Sequence, residues 1–331
     1  MKLRWGIIGS ANIAVKSVIP AIQKSERGEV VAIASRGIEK AKETAAKLNI
    51  PKAYDSYEEL VADPEIDAVY IPLPNHLHKE WTIKAAQAGK HVLCEKPASL
   101  NAEETAQMVE ACKQAGVVFA EAFMYRYHPR VQRVKDIIAS GEIGELRAIN
   151  ARFTFNNAGE IGNVRYKSEW GGGSIYDVGV YPLSAARWIV GAEPEAVTVH
   201  AKFSEAHDGV DMMSSGLVEF ADGVALTFDC GMWAIYREGI EILGSDGRIE
   251  LVGAFKDNSP IVVYTNNGRR EEGAAEFEGL DTYTLQADGF AKAVFGEAAL
   301  PFPAEDSIAN MRLVDACLAS ARTKSRVLVQ Q

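Results

Sequence analysis

Short apolar runs alternate with amphipathic, helix-like segments along the first 120 residues. Helix-like segments at 39–48, 77–88 and 102–115 separate apolar runs at 5–8, 30–34, 68–71, 91–94 and 117–120. Glycine follows two of these segments, at Gly89 and Gly116, as helix ends favour. Strands that alternate with helices need crossover connections, which place the strands parallel in one sheet. The pattern therefore predicts a doubly wound α/β domain over residues 1–122.

After residue 123 the pattern changes to β-rich runs separated by turn signals. Helix-like stretches are predicted at 129–140, 175–190, 285–295 and 304–323, and strands at 146–155, 196–203, 212–220, 224–230, 240–243, 248–252 and 261–264. The triplets at 221–223 and 245–247 have the composition of hairpin turns. We expect residues 123–331 to form an α+β domain with a mostly antiparallel sheet.

Composition agrees with a two-domain globular protein and excludes several classes. The chain has 331 residues, 47% of them hydrophobic and 24% charged, and two domains fit that length. Its apolar runs are too short to span a membrane, and Met1 runs directly into a strand pattern rather than a signal peptide, so we expect a cytoplasmic protein. A net charge of −10 argues against binding to duplex nucleic acid. The four cysteines form no Cys-x-x-Cys pair and are expected to be buried thiols.

A glycine turn follows the first predicted strand and precedes a helix. Gly9, Ala11, Asn12 and Ile13 lie where backbone N–H groups and a helix N-terminus would bind the pyrophosphate of a dinucleotide. The fingerprint is imperfect, because alanine stands at Ala11 and at residue 14 where the full pattern has glycine. The alternative is an ordinary strand–helix connection. Its place in the first βα unit favours nucleotide binding.

The end of the second predicted strand indicates which nucleotide binds. NAD sites usually offer an acidic residue there, whereas this chain has Ser35 and Arg36, with Lys40 nearby. A hydroxyl and a guanidinium suit the 2′-phosphate of NADP(H). The alternatives are a solvated basic loop and the use of NAD(H).

The third and fourth apolar runs of the first domain end in polar and proline-rich sequence. Pro72, Pro74 and Asn75 follow one run, and Glu95 and Lys96 follow the other. Ligands of open parallel sheets bind beyond the carboxyl ends of the strands, so these residues are expected near the nicotinamide. The Lys96 ammonium would hold a reacting oxygen or lower the pKa of a neighbouring group. The alternative is a helix-capping or salt-bridging lysine.

Two histidines, His76 and His78, lie two residues apart after the third run. Two such ligands without further metal-binding residues at a recognisable spacing are weak evidence, so no metal is predicted. His78 is expected beside the cofactor or substrate, and the alternative is a surface position.

The segment 169–188 of the second domain carries the next candidate chemistry. Gly171–Gly173 allow a close backbone approach, and Asp177 and Tyr181 would share one helix face. Pro182 would then lie at a kink or in a first turn. A tyrosine beside a lysine is a workable general acid/base, because the ammonium stabilises phenolate. The alternative for Tyr181 is a core aromatic residue.

Four stretches of the chain together resemble the glucose-fructose oxidoreductase / inositol dehydrogenase (Gfo/Idh/MocA) family. They are the turn at Gly9, the tripeptide Glu95-Lys96-Pro97 and the segments 121–129 and 171–183. The likeness runs along the whole chain. It implies an N-terminal Rossmann domain and a C-terminal domain whose large open-faced sheet often forms a dimer interface, so a homodimer or homotetramer is expected. It also implies that Lys96 is the active-site lysine, that Pro97 is frequently cis, and that Asp177 is an acidic active-site residue.

Tyr181 stands where many members of this family carry histidine, and it resembles the branch that includes glucose-fructose oxidoreductase, xylose dehydrogenase, 1,5-anhydrofructose reductase and dimeric dihydrodiol dehydrogenase. That branch often uses NADP. The resemblance implies hydride transfer between NADP(H) and a carbinol or carbonyl carbon of a sugar, polyol or dihydrodiol. Tyr181 would exchange the hydroxyl proton, Lys96 would hold the oxygen and Asp177 would orient substrate or lysine. The pocket wall is predicted to contain Arg126, His128, Arg165, Tyr166 and Trp170.

Two other functions remain open from the sequence. Some proteins with this fold are regulatory and sense a nucleotide without turnover, although the presence of both Lys96 and Tyr181 favours an enzyme. The other is a two-domain NADP reductase that acts on an amino-acid semialdehyde.

Overall fold

The computed structural model describes residues 1–256 and 258–330. The chain divides into two compact units, each assembled from two stretches of sequence. The first contains Met1–Tyr127 and Asp281–Ile308, and the second contains His128–Leu280 and Ala309–Gln331.

The first unit is built on a parallel sheet. Its strands are β1 Leu3–Ile8, β2 Gly28–Ala34, β3 Lys52–Tyr54, β4 Ala68–Ile71, β5 His91–Cys94 and β6 Phe119–Glu121, in the order β3-β2-β1-β4-β5-β6. Every neighbouring pair in that order is parallel. The order reverses at β1, which is the arrangement of a doubly wound nucleotide-binding domain. This confirms the predicted architecture.

Helices connect these strands. They are α1 Ile19–Lys24, α2 Ile38–Leu48, α3 Tyr57–Ala62, α4 His78–Gln87 and α5 Ala102–Gln114, with a π-helical turn at Ala14–Val18 and 3-10 turns at Asn75–Leu77 and Met124–Tyr127. Ser56 and Asn101 cap α3 and α5, each accepting a backbone N–H from the residue three positions on. Gly89 and Gly116 end α4 and α5 with φ of 73° and 68°.

Apolar residues cover both faces of the parallel sheet. On one face Trp5, Tyr70 and Leu93 are buried together, and on the other Val69 and Val92 are buried. A strand with both faces covered appears as a continuous apolar run, which is why these strands were visible in the sequence. β3 and α3 were not predicted, because half-buried elements of three and six residues are too short to show a repeating pattern of apolar residues.

A later helix, α9 (Thr282–Val294), belongs to the first unit. The boundary predicted after residue 122 groups it with the second part of the chain instead. Phe290 is fully buried, and its ring lies 5.2 Å from that of Trp5. Asp288 accepts a hydrogen bond from the Ser25 hydroxyl at 2.5 Å. Contacts this distant in sequence leave no local signal.

The second unit contains a mixed sheet. Its strands are β7 Leu146–Asn156, β8 Ala196–Ser204, β9 Val210–Glu219, β10 Ala225–Gly231, β11 Trp233–Gly244, β12 Gly247–Val252, β13 Ile261–Thr265, β14 Gly268–Glu272 and β15 Val327–Leu328, in the order β14-β13-β12-β11-β7-β10-β9-β8-β15. β7 and β10 pair in parallel, and the other neighbouring pairs are antiparallel. The predicted mostly antiparallel sheet is confirmed, although β14 and β15 were not predicted.

The helices of the second unit are α6 Pro129–Ala139, α7 Val180–Val190 and α8 Ala274–Phe277, while α10 Glu305–Thr323 begins in the first unit and ends in the second. A π-helical turn at Ile175–Gly179 runs directly into α7, so Asp177 and Tyr181 lie on one helical segment. Pro182 lies in the first turn of α7, where a missing N–H is tolerated. Further 3-10 turns lie at Val164–Tyr166, Ser168–Trp170, Glu205–His207 and Ala221–Gly223.

The part of the chain that the structure describes contains neither a membrane-spanning helix nor a metal-binding cluster. Within 1–256 and 258–330 no helix is long and apolar enough to cross a membrane. The same residues contain no cluster of three or more His, Cys, Asp or Glu side chains arranged to hold a metal ion. Cys94, Cys112, Cys230 and Cys317 are free and buried, as predicted.

Candidate active site

The turn after β1 has a backbone that only glycine adopts readily. Gly9 has a φ of +110°, and its N–H donates to the carbonyl of Ala34 at 2.9 Å. A Cβ at this position would lie 3.0 Å from Leu73 Cδ2. Glycine therefore keeps the turn close to β2 and leaves its backbone free of a side chain where β1 ends.

Helical backbone begins immediately after this turn, at Asn12. The N–H of Val15 donates to the carbonyl of Ala11 at 3.1 Å, so the N–H groups of Asn12 and Ile13 precede the first intrahelical bond. Such N–H groups, at the positive end of a helix dipole, bind phosphate. The methyl group of Ala11 is half-buried and does not prevent the turn from forming.

The end of β2 carries hydroxyl and cationic groups close to the same turn. The Ser35 and Ser10 hydroxyl oxygens lie 3.5 Å apart, and Ser35 is buried. Arg36 and Lys40 are exposed on the following loop and helix. The pKa of His76 is lowered, first by burial and then by the Arg36 charge, so Arg36 lies near this histidine. Together with the Gly9 turn, these groups fit a dinucleotide that carries an additional phosphate on its ribose.

Glu95 and Lys96 follow β5 at the same edge of the parallel sheet. Glu95 accepts a 2.5 Å hydrogen bond from the Tyr70 hydroxyl and a 3.3 Å bond from the backbone N–H of Lys96. Lys96 is half-buried, and its peptide bond to Pro97 is cis. Pro72, Pro74 and Asn75 follow β4 on the neighbouring strand. The strand ends thus bring all of these predicted residues to one edge of the sheet.

His78 has a different setting from the one predicted. It is fully buried at the start of α4, so the surface alternative is wrong. Its Nδ1 lies 2.9 Å from the carbonyl oxygen of Pro97, and its Nε2 lies 2.7 Å from that of Leu73. Burial lowers the pKa of the ring, and the carbonyl groups oppose that shift. His78 therefore joins the loop after β4 to the loop that carries Lys96, while its contact with cofactor stays a prediction.

Glu121 ends β6 and supports the same loop. Its Oε1 accepts the N–H of Ala98 at 2.9 Å, and the side chain is buried. Burial raises the pKa of Glu121 to about 7, and the Arg126 charge opposes the shift. Sequence reasoning missed this residue, although the rule that ligands gather beyond strand ends could have singled out a carboxylate at the end of β6.

In the second unit the structure brings two predicted residues together. Arg165 Nε donates to Asp177 Oδ2 at 2.8 Å. The Asp177 side chain is 15% exposed and that of Arg165 is 42% exposed, so the carboxylate is the more enclosed partner. An ion pair of this kind holds the carboxylate in one orientation.

Tyr181 is buried at the start of α7. Its ring lies 5.2 Å from that of Phe153 and 5.3 Å from that of Phe255, and its residue is 4% exposed. This packing agrees with a core aromatic residue and also fixes the ring direction. Tyr181 belongs to the second unit and Lys96 to the first.

The other predicted pocket residues have varied environments. Arg126 is buried between the rings of Phe123 and Phe302 and pairs with Asp306 at 2.7 Å. His128 accepts the N–H of Arg130 and packs on the ring of Phe277. Tyr166 is buried against His207 and donates a hydrogen bond to Asn157. Trp170 is 36% exposed. Burial gives Arg126, His128 and Tyr166 a packing role, and their contact with substrate stays a prediction.

A doubly wound sheet with a glycine turn after β1, basic groups after β2 and a lysine after β5 defines a nicotinamide-dependent oxidoreductase. Two family models match the chain. Residues 3–123 match the oxidoreductase family with an NAD-binding Rossmann fold, and residues 131–250 match the GFO/IDH/MocA C-terminal domain. The chain belongs to the GFO/IDH/MocA family of oxidoreductases, which confirms the resemblance read from its motifs.

Similar proteins extend over almost the whole chain. An uncharacterized oxidoreductase of Rhizobium meliloti is 42% identical over 96% of this chain and 97% of its own. A D-xylose 1-dehydrogenase (NADP(+)) of Haloferax volcanii is 40% identical over 98% and 99%. The crystal structure of a 3-ketoreductase from Actinomadura kijaniata with NADP and TDP-benzene has a TM-score of 0.89 and 31% identity, covering 97% and 98%.

Proposed function

We propose that this oxidoreductase transfers a hydride between NADP(H) and a carbinol or carbonyl carbon of a sugar or related polyol. One observation carries the proposal. Ser35 and Arg36 follow β2, and Lys96 follows β5, at the same edge of one parallel sheet. A dinucleotide bound across that edge would have its ribose phosphate beside the basic group and its nicotinamide toward the lysine.

The proton chemistry is assigned to side chains of this protein. During oxidation Tyr181 accepts the proton of the substrate hydroxyl, and during reduction it returns that proton to the oxygen. Lys96 holds the same oxygen, and its positive charge stabilises the negative charge that develops there. Asp177, oriented by Arg165 at 2.8 Å, positions a second substrate hydroxyl. The nicotinamide, when bound, accepts or donates the hydride.

Cofactor choice follows from charge. The loop after β2 offers a serine and an arginine where an NAD site would place a carboxylate. NADP(H) is therefore the preferred cofactor, and NAD(H) is the weaker alternative. The xylose dehydrogenase and the ketoreductase described above, both named with NADP, support this choice and a sugar-like substrate. Of the predicted pocket residues, Arg165 and Trp170 are the exposed ones, while Arg126, His128 and Tyr166 are buried.

We assign cofactor binding to residues 1–122, and substrate binding and assembly to residues 123–331, with the boundary predicted from the sequence. Apolar side chains on strands of the second unit support assembly into a homodimer or homotetramer. Ile235 is 85% exposed, Leu328 67% and Tyr236 55%. Ile235 and Tyr236 are adjacent on β11, and exposed apolar side chains that lie together favour association.

A spectrophotometric screen tests the function. Aldoses, inositols, anhydroketoses, dihydrodiols and amino-acid semialdehydes would each be assayed with NADP and NAD in parallel. We expect turnover of a sugar or polyol, faster with NADP, and binding of NADPH by protein fluorescence. Binding without turnover of any substrate would favour a nucleotide-sensing regulator, and turnover only of semialdehydes would contradict the proposed substrate class.

A further inference from the structure

The helical segment that carries Asp177 and Tyr181 is anchored at its first residues by a carboxylate from another element. Asp211 lies on β9 and is 2% exposed. Its Oδ2 accepts the Ser174 hydroxyl at 2.6 Å and the backbone N–H of Ile175 at 2.9 Å. These two residues lie three and two positions before Asp177 in the chain. A buried carboxylate at this point is also favoured by the positive end of the helix dipole.

A third donor completes this arrangement from the same strand. The Ser214 hydroxyl donates to Asp211 Oδ2 at 3.0 Å. Burial raises the pKa of the Asp211 carboxyl, and the hydrogen bonds from Ser174, Ile175 and Ser214 oppose that rise. Three donors saturate the acceptor capacity of Oδ2, so Asp211 is held in one position.

The glycine turn before the helix is shaped around the same carboxyl group. Gly173 has a φ of +122°, and a Cβ there would lie 2.1 Å from Asp211 Oδ1. The Gly173 N–H donates to the carbonyl of Arg165 at 3.0 Å, and its carbonyl accepts the N–H of Asp177 at 3.0 Å. Asp211 therefore fills the space beside the turn that joins Arg165 to the helix start.

These contacts form a closed circuit. Asp211 fixes Ser174 and Ile175, the Gly173 turn holds the backbone of Arg165, and the Arg165 side chain pairs with Asp177. Displacement of the carboxylate would move both ends of the Arg165–Asp177 pair and the first turn of the helix. Tyr181 follows in the next turn of the same segment.

From this circuit we infer that Asp211 is a positioning residue for catalysis, which sets the orientation of Asp177 and Tyr181 without itself touching substrate. The inference rests on the proposed function for the roles of those two residues. A displacement of about 1 Å in a reacting group lowers turnover by about a hundredfold. The carboxylate should thus affect turnover far more than binding of NADPH, because all predicted cofactor residues lie in the other unit.

Three variants test the inference. Asp211→Asn keeps an acceptor oxygen for Ile175, Asp211→Ala removes every bond, and Ser174→Ala removes one donor. Asp136→Asn is the matched control, because Asp136 is exposed on α6 and its carboxylate accepts a hydrogen bond from the Gln132 amide. Each variant would be checked for folding by circular dichroism. Then kcat, KM and the NADPH dissociation constant would be measured.

We expect kcat to fall about a hundredfold in Asp211→Ala and about tenfold in Asp211→Asn and Ser174→Ala, with NADPH binding within about twofold of the wild type. Hydrogen exchange of the amides at 174–181 should become faster in the same order, and the Asp136→Asn control should match the wild type in every measurement. If Asp211→Ala does not fold, Asp211→Asn and Ser174→Ala carry the test.

The outcomes separate the inference from the proposed function. Faster exchange at 174–181 with kcat unchanged in folded variants would overturn the positioning role, as would unchanged exchange. A wild-type protein that turns over no sugar or polyol would instead overturn the proposed function. A loss of kcat and NADPH binding together would also contradict the inference, because a general loss of structure would then explain the effect.

Discussion

Arg165 Nε donates a 2.8 Å hydrogen bond to the Oδ2 atom of Asp177. The Asp177 side chain is the more enclosed partner, at 15% exposed, and the Arg165 side chain is 42% exposed. A carboxylate paired with a guanidinium remains a strong hydrogen-bond acceptor for a substrate hydroxyl, and the ion pair fixes the orientation of the carboxylate. The pair therefore fits a site that orients an uncharged, hydroxyl-rich substrate.

Replacement of Asp177 by asparagine should lower kcat/KM for the sugar by about one to two orders of magnitude, because the amide is a weaker acceptor and loses the Arg165 ion pair. Arg165→Met should lower it less. Since the two side chains touch, the double variant should lose less than the sum of the single losses in free energy. Strictly additive losses, measured by steady-state kinetics, would show that the pair does not act as a unit.

Lys96→Met and Tyr181→Phe should each lower kcat by about 10²–10⁴, the range for loss of a general acid/base. NADPH binding, measured by fluorescence titration, should change little in Tyr181→Phe. The double variant should be only slightly slower than the worse single variant, because in the proposed mechanism the two groups act on one oxygen. Lys113→Met is the control, since Lys113 is exposed on α5. A near-normal rate in either single variant would refute the assignment.

Arg36→Ala should weaken NADP binding about 10- to 100-fold, the effect of losing a charge-assisted hydrogen bond to a phosphate, and should leave NAD binding nearly unchanged. Isothermal titration with both cofactors measures the ratio. Lys47→Ala removes an exposed charge at the end of α2 and serves as the control. An equal loss of affinity for both cofactors would argue that Arg36 does not contact the 2′-phosphate.

His78→Leu should lower both stability and turnover, because it removes the ring that lies between the carbonyl groups of Pro97 and Leu73 and donates its N–H to one of them. An unsatisfied buried carbonyl costs about 1–3 kcal/mol. Urea denaturation would measure the loss, and kcat would report displacement of the loop that carries Lys96. His200→Leu alters an exposed histidine on β8 and should have little effect. Unchanged stability in His78→Leu would contradict the bridging role.

The fold was predictable from the sequence where burial of an element requires a clear pattern of apolar residues. Strands such as β4 and β5, buried between two layers of helices, appear as apolar runs with the bounds the structure gives them. The three-residue β3 has no such pattern. The place of α9 depends on Phe290 packing against Trp5, a contact between distant parts of the sequence.

The candidate site divides in the same way. Lys96 was predicted because ligands of parallel sheets bind beyond the carboxyl ends of the strands, and Asp177 and Tyr181 were predicted from the family motif. The hydrogen bonds of His78 and the anchoring of Ser174 by Asp211 depend on where side chains point after folding. A single sequence carries no signal for such contacts, because residues at 78, 97 and 211 meet their partners only in the packed structure.

Stability should depend on pH through Glu121. Its pKa is raised to about 7 by burial, against an ordinary value of 4.5. Between these two values the folded protein binds more protons at this carboxyl than the unfolded chain, so the group stabilises the fold below pH 4.5 and this contribution is lost as pH rises through 7.

The Glu121→Gln variant should isolate this contribution, because glutamine keeps the shape and does not ionise. Wild type should lose up to about 3 kcal/mol more unfolding free energy than Glu121→Gln between pH 5 and pH 8. Urea denaturation at fixed pH values measures the difference, and subtraction removes titrations common to both proteins. Glu110→Gln, at an exposed position on α5, should follow the wild type. If Glu121→Gln shows the same pH slope as Glu110→Gln, the carboxyl titrates near its ordinary pKa in the folded protein, which would contradict the prediction.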